Sequence, residues 1–370
     1  QLLGKARLNR ARYLIAVVGN DGMNAEIAVQ AERITRGRDR KVLTCAIHIV
    51  DPQLWYLLRE KEINAGTNPN FRLELFNIYD RGASLMFQLH PPWGAEGRDS
   101  ATCAHMLLIG LGKLGQSLVI QAASRWREQR DVDGGKLGIT IIDMDAEARV
   151  DALCVRHPQL SEVDEYENLQ MNVHSAAFQR TGFLFDQDQN CIPDSIYICM
   201  DDDSLGLHTG LSLYRKVRDH QIPVFIRMAE DAGLALLLHD SDRTTNAYHN
   251  LYGFPLLDHT CTPDLILKGT HEALARDLHD AYLRSLTPEQ AAQGGDLSLA
   301  SWDELPESTK ERNRAQSDRI AKILGQHGYR IVPLADWRVT EFKFKDTDEI
   351  NEVESMARIE HELWVEYMVA

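Results

Sequence analysis

One pattern occurs twice in this 370-residue chain and limits what the chain can fold into. Tyr13-Leu-Ile-Ala-Val-Val-Gly-Asn-Asp and Ile196-Tyr-Ile-Cys-Met-Asp-Asp-Asp are each an apolar run that breaks into an acidic loop and then a helical pattern. Uninterrupted β-type apolar runs mark strands buried on both faces, as in parallel sheets with helices on each side. Each run leads to a second one, Val42–Val50 and Ile222–Met228, and then to a matching helix start. Those starts are Asp51-Pro-Gln-Leu-Trp-Tyr-Leu-Leu and Asp231-Ala-Gly-Leu-Ala-Leu-Leu-Leu; Leu75–Asp80 and Phe254–Asp258 correspond after them. Strands alternating with helices predict doubly wound parallel α/β sheets. Residues 1–89 read as the second half of a unit that stands complete at 103–264, so the chain is expected to open within a domain.

Between the two copies, His90–Thr102 carries Pro91, Pro92, Gly94 and Gly97 and reads as a linker, here bounded at 90–102. Within the complete unit the predicted order is a strand at Ala104–Ile109, a helix from Lys113 to Arg127 and a strand at Ile139–Ile142. A helix over Ala146–Val155, a weak strand near Met171–Val173 and a strong strand at Ser195–Met200 follow. From about residue 265 to 370 helical patterns dominate, interrupted by a polar Gln/Gly stretch at 290–296, and predict a mainly α-helical module.

The complete unit opens on Gly110-Leu111-Gly112-Lys113-Leu114-Gly115. Alone such a triplet says little. Here it follows a strand, begins a helix and is answered by acids at the next strand's end, Asp143-Met144-Asp145, the context a dinucleotide fingerprint requires. The first glycine makes the tight turn, the second lets the backbone approach a pyrophosphate, and the third lets helix and strand pack closely. The helix N-terminus adds N–H donors and positive dipole. Asp143 or Asp145 would accept the adenosine ribose hydroxyls, which disfavours a 2′-phosphate and points to NAD(H) or a related adenine nucleotide. From Gly115 to Asp143 is 28 positions, longer than the usual spacing of about 20, with Asp133–Gly138 as the extra loop. An empty, degenerate Rossmann domain is the alternative. Met200, Asp201 and Asp202 lie on the same carboxyl edge. They could border the adenine or could simply cap the next helix.

The rest of the sequence mostly excludes. Fifty-five acidic against 40 basic residues give a net charge of −15, which argues against nucleic-acid partners. The six cysteines form no C-x-x-C pair, and no H-E-x-x-H occurs, so no metal site is expected. No apolar stretch reaches the roughly 18–20 residues of a membrane helix. For catalysis, Glu360-His361 could form an acid/base pair or could sit on a helix face with Ile359, Leu363 and Trp364 inward. No catalytic residue is assigned.

Residues 103–265 resemble a TrkA-N (RCK/KTN-type) domain, the NAD-binding regulator of potassium channels and transporters. The resemblance rests on Gly110–Gly115, Ile141-Ile-Asp143, Met200-Asp-Asp-Asp and Arg227-Met-Ala-Glu-Asp231. Residues 1–89 resemble the second half of another such domain through Ala16–Asn24 and Ile49–Leu54. Residues 265–370 resemble a bacterial ryanodine-receptor-type (RyR) domain. Ser301-Trp-Asp-Glu-Leu-Pro306, Lys310-Glu-Arg-Asn-Arg314, Gly328-Tyr-Arg-Ile331 and Ala357–Trp364 carry it, with Ser301 and Leu363 departing from the family's usual Pro and Arg. The resemblance implies a non-catalytic, nucleotide-sensing cytoplasmic region that controls a potassium channel or transporter segment N-terminal to Gln1. It also implies assembly into homo-oligomers through helix and sheet edges. A ligand site on the RyR-like module would involve Trp302, Pro306, Arg312, Asn313, Glu360, His361 and Trp364. A soluble nucleotide-signal sensor without a pore and an NAD-dependent dehydrogenase are the alternatives.

Overall fold

The computed structural model describes residues 7–36, 42–64, 70–93, 104–129, 135–231, 249–262, 269–285, 299–329 and 351–369, with 68, 233, 266, 344 and 345. The fold is α/β, with two parallel Rossmann-like sheets, one partial and one complete, and added helices. The chain divides into two compact units. One holds the residues up to Asn77 and the helices after Thr262; the other holds Ile78–Thr262.

In the first unit, strands β1 (Tyr13–Ala16), β2 (Leu43–His48) and β3 (Phe71–Phe76) lie in parallel in that order, joined by helices α1 (Asp21–Thr35) and α2 (Pro52–Asn64). Leu43, Cys45, Ile47 and Ile49 from β2 and its end bury against Ala25, Ala28 and Ala31 of α1. The small alanines let α1 lie close on the sheet. β1 is different: Tyr13, Ile15 and Val17 are exposed, and its outer edge has no strand against it among the described residues.

In the second unit, helix α3 (Ile78–Leu89) precedes β4 (His105–Ile109), α4 (Lys113–Gln129), β5 (Leu137–Asp143), α5 (Ala146–Arg156) and β6 (Asp164–Gln170). The chain then crosses to β7 (Ser195–Ile198), α6 (Asp203–Val217), β8 (Val224–Met228) and β9 (Leu251–Pro255). The sheet order is β6-β5-β4-β7-β8-β9, all parallel. In the sheet's own numbering this is 3-2-1-4-5-6, the doubly wound order whose ligand crevice opens where the winding reverses, between β4 and β7. One face packs Met106, Leu108, Ile139 and Ile141 against α4 and α5; the other packs Leu107, Ile109, Ile196 and Ile198 against α6.

The repeat has a structural counterpart. β1 and β7 start 182 positions apart (13 to 195), and β1-β2-β3 follow the same parallel order as β7-β8-β9. The cap residues keep that offset (20 to 202, 21 to 203). Asn20 accepts the Met23 N–H at 3.0 Å, and Asp202 accepts the Leu205 N–H at 2.9 Å. Asp21 Oδ2 then holds the N–H groups of Val50 and Asp51 at 2.8 and 2.7 Å, while Asp203 Oδ2 holds that of Ala229 at 2.9 Å. In both copies a carboxylate in the first helical turn fastens the end of the next strand.

Three features depart from the sequence reading. The third strand of the complete unit is Asp164–Gln170, not 171–173; it is an acidic edge strand of mixed exposure, without the apolar run that announces buried strands. Helix α3, placed above with residues 1–89, belongs to the second unit: Ala83, Met86 and Phe87 join its core, and Asp80 accepts from Ser117 at 2.6 Å and Gln121 at 2.7 Å. The start of the expected linker is packed as well. His90 lies against the rings of Phe225 and Tyr252, and the Pro92 carbonyl accepts the Ser195 hydroxyl. The expected helix after Asp231 and the 290–296 stretch lie outside the described residues.

Helices α7 (Gly269–Ser285), α8 (Glu307–Gln326) and α9 (Glu352–Val369) complete the first unit. Among the described residues no helix is long and apolar enough to cross a membrane.

Candidate nucleotide site at the Gly110–Gly115 turn

Each glycine of the turn has a different physical reason. Gly110 follows β4 with φ +91°, a left-handed conformation that L side chains rarely adopt, and a Cβ there would stand 3.0 Å from the Cys199 carbonyl at the end of β7. The turn therefore crosses the seam where the sheet reverses. Gly115 lies in the first turn of α4, and a Cβ on it would fall 2.3 Å from the Gly110 carbonyl oxygen, so only glycine permits this approach of helix to strand. At Gly112 a Cβ would meet nothing of the protein within 4 Å. That middle position faces open space.

The other positions of the turn divide between core and rim. Leu111 and Leu114 are buried side chains packed in the core, and the Leu111 N–H is spent on Asp143 Oδ2 at 2.8 Å. The amides that a helix start leaves without an intrahelical carbonyl are then those of Gly112, Lys113, Leu114 and Gly115. Lys113 is exposed, its ammonium 5.6 Å from the centre of the Tyr79 ring. These groups suit a pyrophosphate: backbone donors, a helix N-terminus and one exposed cation.

Between the two candidate acids the structure draws a distinction. Asp143, with a side chain 10% exposed, ties the turn down; its Oδ1 also accepts the Asp145 N–H at 3.0 Å and lies 3.3 Å from Arg149 Nε. Met144 and Asp145 are exposed beyond it, and the Asp145 side chain makes no cap hydrogen bond although it sits at the N-cap of α5. Arg149 was not singled out from the sequence. Only the course of α5 brings it back over the turn, where its Nη1 donates to the Leu111 carbonyl at 3.2 Å.

Across the seam, Met200 is half-buried and Asp201 and Asp202 are exposed. The Asp202 carboxylate caps α6, so this acid serves the helix as described above. The Asp201 carbonyl accepts from Arg227 at 2.9 Å, and that arginine also pairs with Asp203 at 3.0 Å. A cleft of about 480 Å³ lies in the first unit, lined by Asn20, Asp21, Gly22, Asp51, Gln53, Leu54 and Leu57. It marks the equivalent carboxyl edge there, without the glycine turn.

The C-terminal candidates are spread over the turn at Trp302 and the helices α8 and α9. Trp302 is 4% exposed in a small core with Ala275 and Leu305, beside His279, which bonds the Ala300 carbonyl. Pro306 is the N-cap of α8, and Arg312 is exposed and donates to Thr309 one turn back. Asn313 is half-buried on the same helix. Glu360 on α9 accepts from Arg319 of α8 at 2.9 Å and so joins the two helices, while His361 is exposed. The side chain of Trp364 lies outside the described set.

No family model matches the chain, and no curated protein matches it. Among solved structures it is similar to a D-lactate dehydrogenase from Treponema pallidum, at 10% identity and a TM-score of 0.27, covering 70% of this chain and 79% of that one. It is also similar to the D-lactate dehydrogenase from Escherichia coli in its apo form, at 11% identity and a TM-score of 0.29, covering 75% and 98%. Both are dehydrogenases and neither is a channel regulator. The expectation of a non-catalytic region controlling a potassium channel or transporter is corrected on this finding and is carried no further.

Proposed function

We propose that the turn at Gly110–Gly115 binds NAD(H) or a related adenine nucleotide. The observation that carries the reading is the contrast among the three glycines, two locked by packing and the middle one facing open space. In this reading the amides of Gly112–Leu114 and the Lys113 ammonium hold the pyrophosphate. Asp143 accepts the ribose hydroxyls with lone pairs that its backbone donors leave over. Met144, exposed beside it, offers an apolar contact to the base, and the Met200–Asp201 backbone borders the other side. When bound, a nicotinamide nucleotide would supply hydride chemistry; this chain's residues supply its binding and orientation.

Calorimetric titration of the purified chain with NADH, alongside mass spectrometry of any ligand it releases, tests the assignment. Micromolar binding that is lost in Gly112→Asp supports it; binding that survives this substitution, or none at millimolar NADH, refutes it. Incubating the complex with a panel of 2-oxo acids, while following the reduced nicotinamide's absorbance, separates the two remaining uses. Turnover makes the chain an NAD-linked oxidoreductase, and binding without turnover makes it a sensor of the nucleotide.

A further inference from the structure

Asp143 does not act alone at the end of β5. Its two oxygens hold the backbone N–H groups of Leu111 and Asp145, and Arg149 Nε lies 3.3 Å from Oδ1. The same guanidinium reaches the Leu111 carbonyl through Nη1. Arg149 keeps 42% of its side chain exposed against 10% for Asp143, so the arginine is the more solvent-accessible partner of the pair. A ribose held on Asp143 would therefore lie close to the paired cation as well.

An unpaired acid at this position favours a free ribose 2′-hydroxyl and repels a 2′-phosphate, whereas an arginine nearby accommodates one. Here both are present and joined, and the pair is close to neutral. We infer that Arg149 sets which adenine dinucleotide the crevice accepts: by compensating Asp143 it admits the 2′-phosphorylated ribose of NADP(H) beside that of NAD(H). The inference rests on the nucleotide reading above, and it revises the preference for NAD that the lone acid suggested. Arg149 is a positioning residue in this scheme. It fixes the carboxylate and cancels its charge, while the hydrogen bonds to the ribose remain with Asp143.

The test is a calorimetric comparison of NADH and NADPH on the wild-type chain and on Arg149→Gln, Arg149→Lys and Asp143→Asn. Wild type is expected to bind the two within about tenfold of each other. Arg149→Gln exposes one uncompensated charge to a dianionic phosphate and should weaken NADPH relative to NADH by about tenfold or more. Arg149→Lys should restore most of the ratio, and Asp143→Asn should move it towards NADPH. Because both ligands are read on one preparation, a general loss of folded protein cancels from the ratio. NADH binding with a ratio that Arg149→Gln leaves unmoved overturns the role of Arg149 and spares the nucleotide site. A wild type that binds neither ligand overturns both.

Discussion

Replacing Gly115 and Gly112 by alanine, one at a time, separates packing from ligand access within a single turn. At Gly115 the new methyl would sit 2.3 Å from the Gly110 oxygen, about 1 Å inside ordinary contact. The obstacle is backbone at the start of α4 and the end of β4, so neither side can rotate away. Small-to-large changes in tight packing cost about 1–3 kcal/mol, and the upper end applies where backbone must move. Alanine in place of a helical glycine returns roughly 0.5–1 kcal/mol. The net is about 2 kcal/mol of destabilisation, or about 4–8 °C in Tm for a domain of this size. Gly112→Ala meets nothing within 4 Å, so its Tm should stay level or rise slightly through the smaller unfolded-state entropy. Its NADH affinity should nevertheless fall at least about tenfold, because the methyl would stand where the proposed site takes the pyrophosphate. Scanning calorimetry and NADH titration of both variants give the four numbers. An unchanged Tm for Gly115→Ala would refute the packing argument, and unchanged affinity for Gly112→Ala would refute the access argument.

Other consequences follow from single side chains. Asp21→Ala strands two backbone donors at the end of β2 and should destabilise the first unit by about 1–3 kcal/mol in urea unfolding, with NADH binding unaffected. Burial lowers the pKa of His105 below its ordinary 6.5 despite the opposing pull of Glu167 and Asp194, and burial likewise lowers that of His90. Both therefore favour the neutral ring in the folded state. Their contribution is present above about pH 6.5 and is lost as the pH falls from there through the lowered folded values, so His105→Gln should flatten the fall in stability between pH 7 and 5. Burial pushes the Cys45 thiol up to about 12 and raises that of Cys199 as well, so neither should react with iodoacetamide at pH 8 until the chain is unfolded. Labelling of either in the native protein would contradict their burial.

The sequence showed the strands that carry a continuous apolar run, because burial on both faces leaves no alternation to confuse the reading; β1 carries such a run too but exposes Tyr13 and Ile15. It also showed the tight turn at Gly110 and the close helix–strand packing at Gly115, since each follows from a backbone requirement. It could not show β6, whose residues Asp164-Glu-Tyr-Glu-Asn-Leu-Gln are those of a charged surface and whose strand character comes from pairing with β5 along seven positions. Nor could it assign α3: Phe87 and Met86 announce an apolar face, and only the fold says which sheet covers it. Asp143 and Asp145 were indistinguishable as text. The hydrogen bond to Leu111, and the return of α5 that sets Arg149 beside that carboxylate, are products of tertiary geometry.

The edge of β1, with no strand against it among the described residues, bears on how this protein behaves in the test tube. Tyr13, Ile15 and Val17 present side chains to solvent beside a row of backbone donors and acceptors, in a segment that holds no charged residue from Tyr13 to Val18. Such a ribbon is a template for intermolecular strand addition, the first step of amyloid-like precipitation. Concentrated solutions should therefore cloud from this corner while the six-stranded sheet is still intact. A gatekeeper lysine at Ile15 should extend shelf life and leave nucleotide titrations unchanged.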